Sequence, residues 1–146
     1  MVICCDTSFL FSFYGDDVHS PKALNWLAKC KTPLGLSKLN EFELANALRF
    51  GAFRQVYTPK FVAECLADFE NDQLEGRIQI LPTNLAAVLT EAHRLSETHT
   101  LVGGHRSFDI LHVAAALQLK ADVFLTFDHN QRLLAEAEGL EVPLVE

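Results

Sequence analysis

Apolar residues fall into two patterns along the chain: short unbroken runs, and longer stretches that repeat every three or four positions. The runs are Val2-Ile3-Cys4-Cys5, Pro33-Leu34-Gly35-Leu36, Ile78-Gln79-Ile80-Leu81 (stopped by Pro82), residues 122–127 and residues 141–145. Short runs bounded by acids or turn residues read as strands. The first runs straight into Asp6, Thr7 and Ser8, so a helix is expected to start at once behind it. Residues 7–13 form that helix, and Tyr14-Gly15-Asp16-Asp17 turns the chain.

The remaining stretches have helical spacing. Ser20-Pro21 reads as an N-cap followed by proline in the first turn, with Leu24, Leu27 and Ala28 as the apolar face and Trp26 as packing. Residues 37–54 repeat Leu39, Phe42, Leu44, Ala45, Ala47, Leu48 and Phe53. Thr58-Pro59 caps a helix to about residue 75, with Phe61, Val62, Cys65, Leu66 and Phe69 inward, and Gly76 ends it. Thr83 or Asn84 opens a helix to about residue 98 carrying Leu85, Val88, Leu89, Ala92 and Leu95. Residues 101–107 read as a loop. Ser107 caps a helix over 108–119 that is apolar on nearly every side, which marks it as buried. Residues 129–138 are helical, and Gly139 closes them.

Strands alternating with helices mean an α/β fold, with a mostly parallel central sheet of about five strands flanked by helices. Nothing in the chain reads as a repeat or linker, so residues 1–146 are expected to be one domain. Hydrophobic content of 49% against 21% charged supports a packed core rather than disorder. No apolar run approaches the roughly 18–20 residues of a membrane helix, and the N-terminus lacks the pattern of a signal peptide. A soluble cytoplasmic protein without membrane association is expected. Cys4, Cys5, Cys30 and Cys65 form no CxxC pair and read as small buried hydrophobes in a reducing compartment.

The net charge of −7 argues against a protein that coats nucleic acid. Any phosphate substrate needs a metal or local basic groups to approach. Asp6, Glu43, Asp109 and Asp128 stand where an element meets the carboxyl edge of a strand or a helix start. Each has a bland reading. Asp6 can cap the helix behind it, and Asp128 can do the same, with Gln131 completing a capping box. Asp109 suits the start of its helix dipole. Glu43 can be the reciprocal Glu of a box opened by Asn40. Together the four are harder to accommodate, because buried acids cost several kcal/mol unless paired or bound to metal. Arg106 and Lys38 are the nearest candidate cations in sequence. A divalent cation with hard oxygen ligands, Mg²⁺ or Mn²⁺, resolves the conflict, and such an ion can drive phosphodiester hydrolysis. Thr7, Ser8 and Thr126 lie beside the acids and can hydrogen-bond a ligating carboxylate or a phosphate oxygen, or simply cap helices. Glu41 competes with Glu43, but the two point about 200° apart on a helix. The Leu-Ala-Asn-Ala-Leu that follows favours Glu43. His112, three residues after Asp109, can touch the site or pack in the core. Arg106 is a candidate phosphate contact or partner for the acids. Lys38, Arg49 and Arg54 can line a groove or remain solvated.

In this order, Cys5-Asp6-Thr7-Ser8-Phe9-Leu10, Glu43-Leu44-Ala45-Asn46-Ala47-Leu48, Arg106-Ser107-Phe108-Asp109-Ile110-Leu111-His112 and Leu125-Thr126-Phe127-Asp128 resemble a PIN-domain nuclease, most of all the VapC-type toxins of bacterial toxin–antitoxin pairs. The resemblance spans essentially the whole chain. It implies that Asp6, Glu43, Asp109 and Asp128 are a catalytic, metal-binding quartet for Mg²⁺ or Mn²⁺ in an endoribonuclease. It also implies an RNA substrate, a homodimer and a small antitoxin partner. A housekeeping RNA-processing nuclease and a non-catalytic PIN-like interaction module are the alternatives. A haloacid dehalogenase-type phosphotransferase needs a second Asp where Ser8 stands. A receiver domain needs an Asp ending the mid-chain strand, which Ile78 to Leu81 lacks.

Overall fold

Four three-residue strands carry the molecule. In the computed structural model, which describes residues 1–143, β1 (Ile3–Cys5), β2 (Leu34–Leu36), β3 (Ile78–Ile80) and β4 (Val123–Leu125) form one sheet in the order β3-β2-β1-β4. All pairings are parallel, and Ile3, Cys4 and Cys5 lie opposite Val123, Phe124 and Leu125. Where a fifth strand is expected, the described chain makes a single bridge between Val123 and Glu141. The Glu141 N–H donates to the Asp122 carbonyl at 3.0 Å and the Phe124 N–H to the Glu141 carbonyl at 2.9 Å. The next donor in that ladder would be residue 143, a proline without an N–H. Residues 144 and 145 of the expected strand lie outside the described residues.

The helices are α1 (Thr7–Tyr14), α2 (Ser20–Lys29), α3 (Lys38–Phe53), α4 (Pro59–Leu74), α5 (Leu85–Leu95), α6 (Leu101–Gly103), α7 (Ser107–Gln118) and α8 (His129–Ala137). Strand side chains alternate between faces. Ile3, Cys5, Val123 and Leu125 therefore pack against α1 to α4, while Cys4 and Phe124 pack against α5, α7 and α8. The adjacent cysteines do point to opposite faces. Helix α7 is buried as its composition demands, with Ile110, His112, Val113, Ala114, Ala115 and Ala116 all inside.

Several local expectations change. Leu24, Phe42, Phe53, Leu85 and Leu89 are exposed, and so is Ala28. The spacing located their helices but not the rotation of each about its axis. Ser20 is the first residue of α2, not its cap; its hydroxyl accepts from the Asp17 N–H at 2.9 Å. Ser107 likewise opens α7, and Arg106 occupies the cap position. The helix expected to reach residue 98 is α-helical to Leu95. It continues as a π-helical turn, Ser96–Thr100, into α6, so the expected loop starts only at Gly104, whose φ is +66°. Cys4, Cys5 and Cys65 are buried, whereas Cys30 is half-buried. Among the described residues, no helix is long and apolar enough to cross a membrane.

The chain lays β1, β2 and β3 in one direction and then returns to put β4 on the other side of β1. Ligands in open α/β sheets bind outside the carboxyl ends of the strands at such a reversal. Here that point lies between β1 and β4, where Asp6 and Thr126 emerge side by side.

Candidate active site

Asp6 is the first residue beyond β1. Its N–H still donates to the Leu125 carbonyl at 3.1 Å, which fixes it level with Thr126. It does cap α1, because its Oδ1 accepts from the Phe9 N–H at 3.1 Å. It also accepts from Ser8 Oγ on Oδ1 (2.7 Å) and from Thr126 Oγ1 on Oδ2 (2.5 Å). Those two hydroxyls in turn accept from the chain after β4: Ser8 Oγ from the Phe127 N–H (3.1 Å), Thr126 Oγ1 from the Asp128 N–H (2.9 Å). They staple the two strand ends together and aim the carboxylate. Asp6 is only 3% exposed and has no ion-pair partner among the described residues. Burial raises its pKa to about 6, against the lowering effect of the hydrogen bonds from Thr126, Ser8 and Phe9 and of nearby His112.

Glu43 is positioned by a second network. Ser37 caps α3 and Asn40 completes the box, so Glu43 is free of the capping role. Asn40 Oδ1 accepts from the Ser37 N–H at 3.0 Å, which fixes its amide orientation. Asn40 Nδ2 then donates to the Cys5 carbonyl (3.1 Å) and to His112 Nδ1 (3.2 Å). With Nδ1 accepting, the His112 proton lies on Nε2, which donates to Glu43 Oε1 at 3.0 Å. The Thr7 hydroxyl stands 3.2 Å from the same Nε2. Burial opposes ionisation of Glu43, but the hydrogen bonds from His112 and Thr7 and the charge of Arg106 outweigh it and hold its pKa below the usual value. Glu41 faces away and pairs with exposed Lys38 at 3.1 Å.

Asp109 and Asp128 share a cation. Arg106 Nε donates to Asp109 Oδ2 at 3.0 Å, and its guanidinium lies 3.9 Å from Asp128 Oδ2. Asp128 also caps α8 by accepting from the Gln131 N–H at 2.9 Å. The expected box is only half made. The Gln131 amide donates instead to the Asp109 carbonyl at 2.8 Å and ties α8 to α7. Arg49 on α3 and Arg54 at its C-cap are exposed.

The four acids thus border one edge and are linked through shared partners. They do not meet in one tight pocket. Among the described residues, no three His, Cys, Asp or Glu side chains are gathered closely enough to hold a metal as they stand. Like charges stay apart, and each carboxylate turns to its nearest donor. Their chemistry nonetheless suits a hard divalent cation: all are oxygen donors, one is buried without a counter-charge, and two already converge on a guanidinium. Asn40 and Gln131 were read only as capping partners; what the sequence reading missed is that Asn40 reaches His112 and that Gln131 reaches the Asp109 carbonyl. The Ser37-x-x-Asn40 spacing was a visible signal for the first, whereas nothing local marks the reach of Gln131 to α7.

A family model for the PIN domain matches residues 3–137, which takes in all four acids. The chain belongs to the PIN-domain family. No curated protein matches it. Solved structures share its fold, and three of them show how far. One is VapC20 of Mycobacterium tuberculosis, described as a toxin cleaving the sarcin–ricin loop, with a TM-score of 0.69 at 15% identity over 94% of this chain and 95% of that one. VapBC2 of Rickettsia felis, bound to a DNA fragment from its promoter, gives 0.66 at 15% identity over 98% of each chain. VapBC-1 of nontypeable Haemophilus influenzae gives 0.64 at 16% identity over 98% of this chain and 97% of that one. At these identities the likeness is one of fold, and it extends over the entire PIN domain rather than one motif.

Proposed function

We propose that the protein is a divalent-metal-dependent endoribonuclease acting in the cytoplasm, and the toxin of a toxin–antitoxin pair. The observation that carries this reading is the buried, unpaired Asp6 carboxylate at the β1/β4 reversal, bordered by Glu43, Asp109 and Asp128. Those four residues would hold Mg²⁺ or Mn²⁺. When bound, such an ion supplies a water nucleophile at neutral pH and neutralises charge at phosphorus. Ser8 and Thr126 keep Asp6 aimed outward from the strand end. His112 and Thr7 keep Glu43 ionised and directed to the same edge. Arg106, mostly exposed on a loop, swings from its carboxylates to a phosphate oxygen when RNA arrives. The VapBC assemblies among the structural neighbours support a small antitoxin as partner. A homodimer follows from the VapC-like resemblance.

The test is cleavage of structured RNAs by the wild-type protein and by Asp109→Asn, in Mg²⁺, Mn²⁺ or EDTA. Cleavage should need the metal and fall at least a hundredfold in the variant. Cleavage indifferent to EDTA would sink the reading. The looseness of the acid cluster favours one second reading, a non-catalytic PIN module in which Arg106 permanently neutralises Asp109 and Asp128. RNA left intact under every metal condition would favour that module. A short antitoxin-like reading frame beside the gene would separate the toxin from a housekeeping RNA-processing enzyme.

A further inference from the structure

An open cavity of about 350 Å³ lies beside the acidic edge, within the size range of small-molecule sites, roughly 300–1,000 Å³. It shares Thr7, Ser8 and Asp128 with that edge, and its outer part is formed by Phe11, Ser12, Asp17, His19 and Phe127. Three rings lie nearly parallel there. Phe9, in the core, stacks on Phe127 with centroids 5.5 Å apart and planes 14° apart. Phe127 stacks on His19 at 4.6 Å and 10°. The stack therefore runs from the core outward and ends on a half-buried imidazole at the cavity.

The loop that presents His19 is fixed. Asp17 Oδ1 accepts from the His19 N–H at 2.8 Å, and Asp17 Oδ2 accepts from Ser12 Oγ at 2.8 Å. A preformed aromatic platform suits a flat ring, since base–aromatic stacking is tolerant of sequence and needs only an exposed face. The Asp17 carboxylate on the cavity wall repels phosphate, so the part of a nucleotide that fits there is the neutral base. Splayed, unstacked bases are what proteins read in single-stranded RNA.

We propose that this cavity is a nucleobase subsite, in which His19 extends the Phe9–Phe127 stack onto a base of single-stranded RNA adjacent to the phosphate at Asp128. The assignment of that phosphate as the one cleaved rests on the nuclease reading; the subsite itself does not. Phe127 sets the platform and His19 is the residue that touches the base.

The probe is a set of single-stranded hexaribonucleotides carrying 2-aminopurine at each position in turn, titrated with the full chain in Ca²⁺, an oxygen-seeking divalent ion that offsets the acidic edge. Stacking quenches 2-aminopurine fluorescence. One position should be quenched strongly by the wild-type protein. His19→Ala should weaken that binding about tenfold and abolish the quenching, whereas His19→Phe, which keeps a ring, should restore both. Absence of a quenched position in the wild type, or equal quenching by His19→Ala, overturns the proposal. The same oligonucleotides are then given Mg²⁺. Quenching without cleavage supports the subsite while removing the nuclease reading, and cleavage without quenching does the reverse.

Discussion

Asp6 is the residue on which local forces conflict most. It receives three hydrogen bonds, yet burial leaves its pKa near 6 instead of the usual 3.8. A carboxyl whose folded pKa is raised holds its proton longer in the native state. Its contribution to stability therefore falls as pH rises from about 4 to 6, and above that window the folded state carries the full penalty, on the order of 3 kcal/mol. Asp6→Asn keeps a cap acceptor and removes the charge. In EDTA at pH 8, its Tm should exceed that of the wild type by several degrees. Near pH 4 the gap should close. Differential scanning calorimetry at the two pH values reads both; a variant less stable than wild type at pH 8 would show that Asp6 acts as a cap and nothing more. Asn40 presents the opposite case, a neutral residue with every polar atom used. Asn40→Ala breaks the α3 capping box and leaves the Cys5 carbonyl and His112 Nδ1 unpaired in the core. Urea unfolding should show a loss of about 2–4 kcal/mol. A loss under 1 kcal/mol would mean that water replaces the amide.

Between elements, the acids are held by contacts from distant parts of the chain, and this governs what the sequence could reveal. The run into Asp6 announced β1, and the apolar composition of the 107–118 segment announced the burial of α7, because both are properties of neighbouring residues. The exposure of Phe42, Phe53, Leu85 and Leu89 was not legible, because periodicity fixes a helix without fixing which face meets the sheet. The Asn40–His112–Glu43 chain was not legible either, since it joins positions up to 72 residues apart. The Glu41 and Glu43 alternatives were separable by their helical angle, and the structure turns Glu43 to His112. A further link between elements lies behind the site. Arg94 on α5 pairs with Glu138 at 2.5 Å, and His99 of the π-helical turn reaches the same carboxylate at 2.7 Å, so α5 is clamped to the end of α8. The hydrogen bond from Arg94 leads the causes that hold the Glu138 pKa below its usual value. A depressed carboxyl pKa adds stability above the unfolded value, about 4.5, and loses it as pH falls through the folded one. Glu138→Gln should cost less than about 1 kcal/mol at pH 7, with the difference shrinking at low pH and in high salt. Chemical denaturation across pH tests this, and a cost unchanged at pH 3 would assign the effect to packing instead.

For the whole molecule, the parallel sheet places its reversal between β1 and β4, where Asp6 and Asp128 follow the two strands, while α3 and α7 bring Glu43 and Asp109 to the same edge. The net charge of −7 makes RNA an unfavourable partner for the bare surface. Under the proposed function, a divalent ion at the edge and Arg106 would bring phosphate near, so RNA binding should strengthen with millimolar Mg²⁺ where a basic protein's binding would weaken. On that same reading, the buried charge on Asp6 holds a divalent cation. Titration of the protein with Mn²⁺, following the free-ion signal by electron paramagnetic resonance, tests it most directly. Wild-type protein should remove Mn²⁺ from solution at micromolar to millimolar concentration, and Asp6→Asn should lose that binding while remaining folded. Equal Mn²⁺ uptake by the two proteins, or none by either, would contradict it.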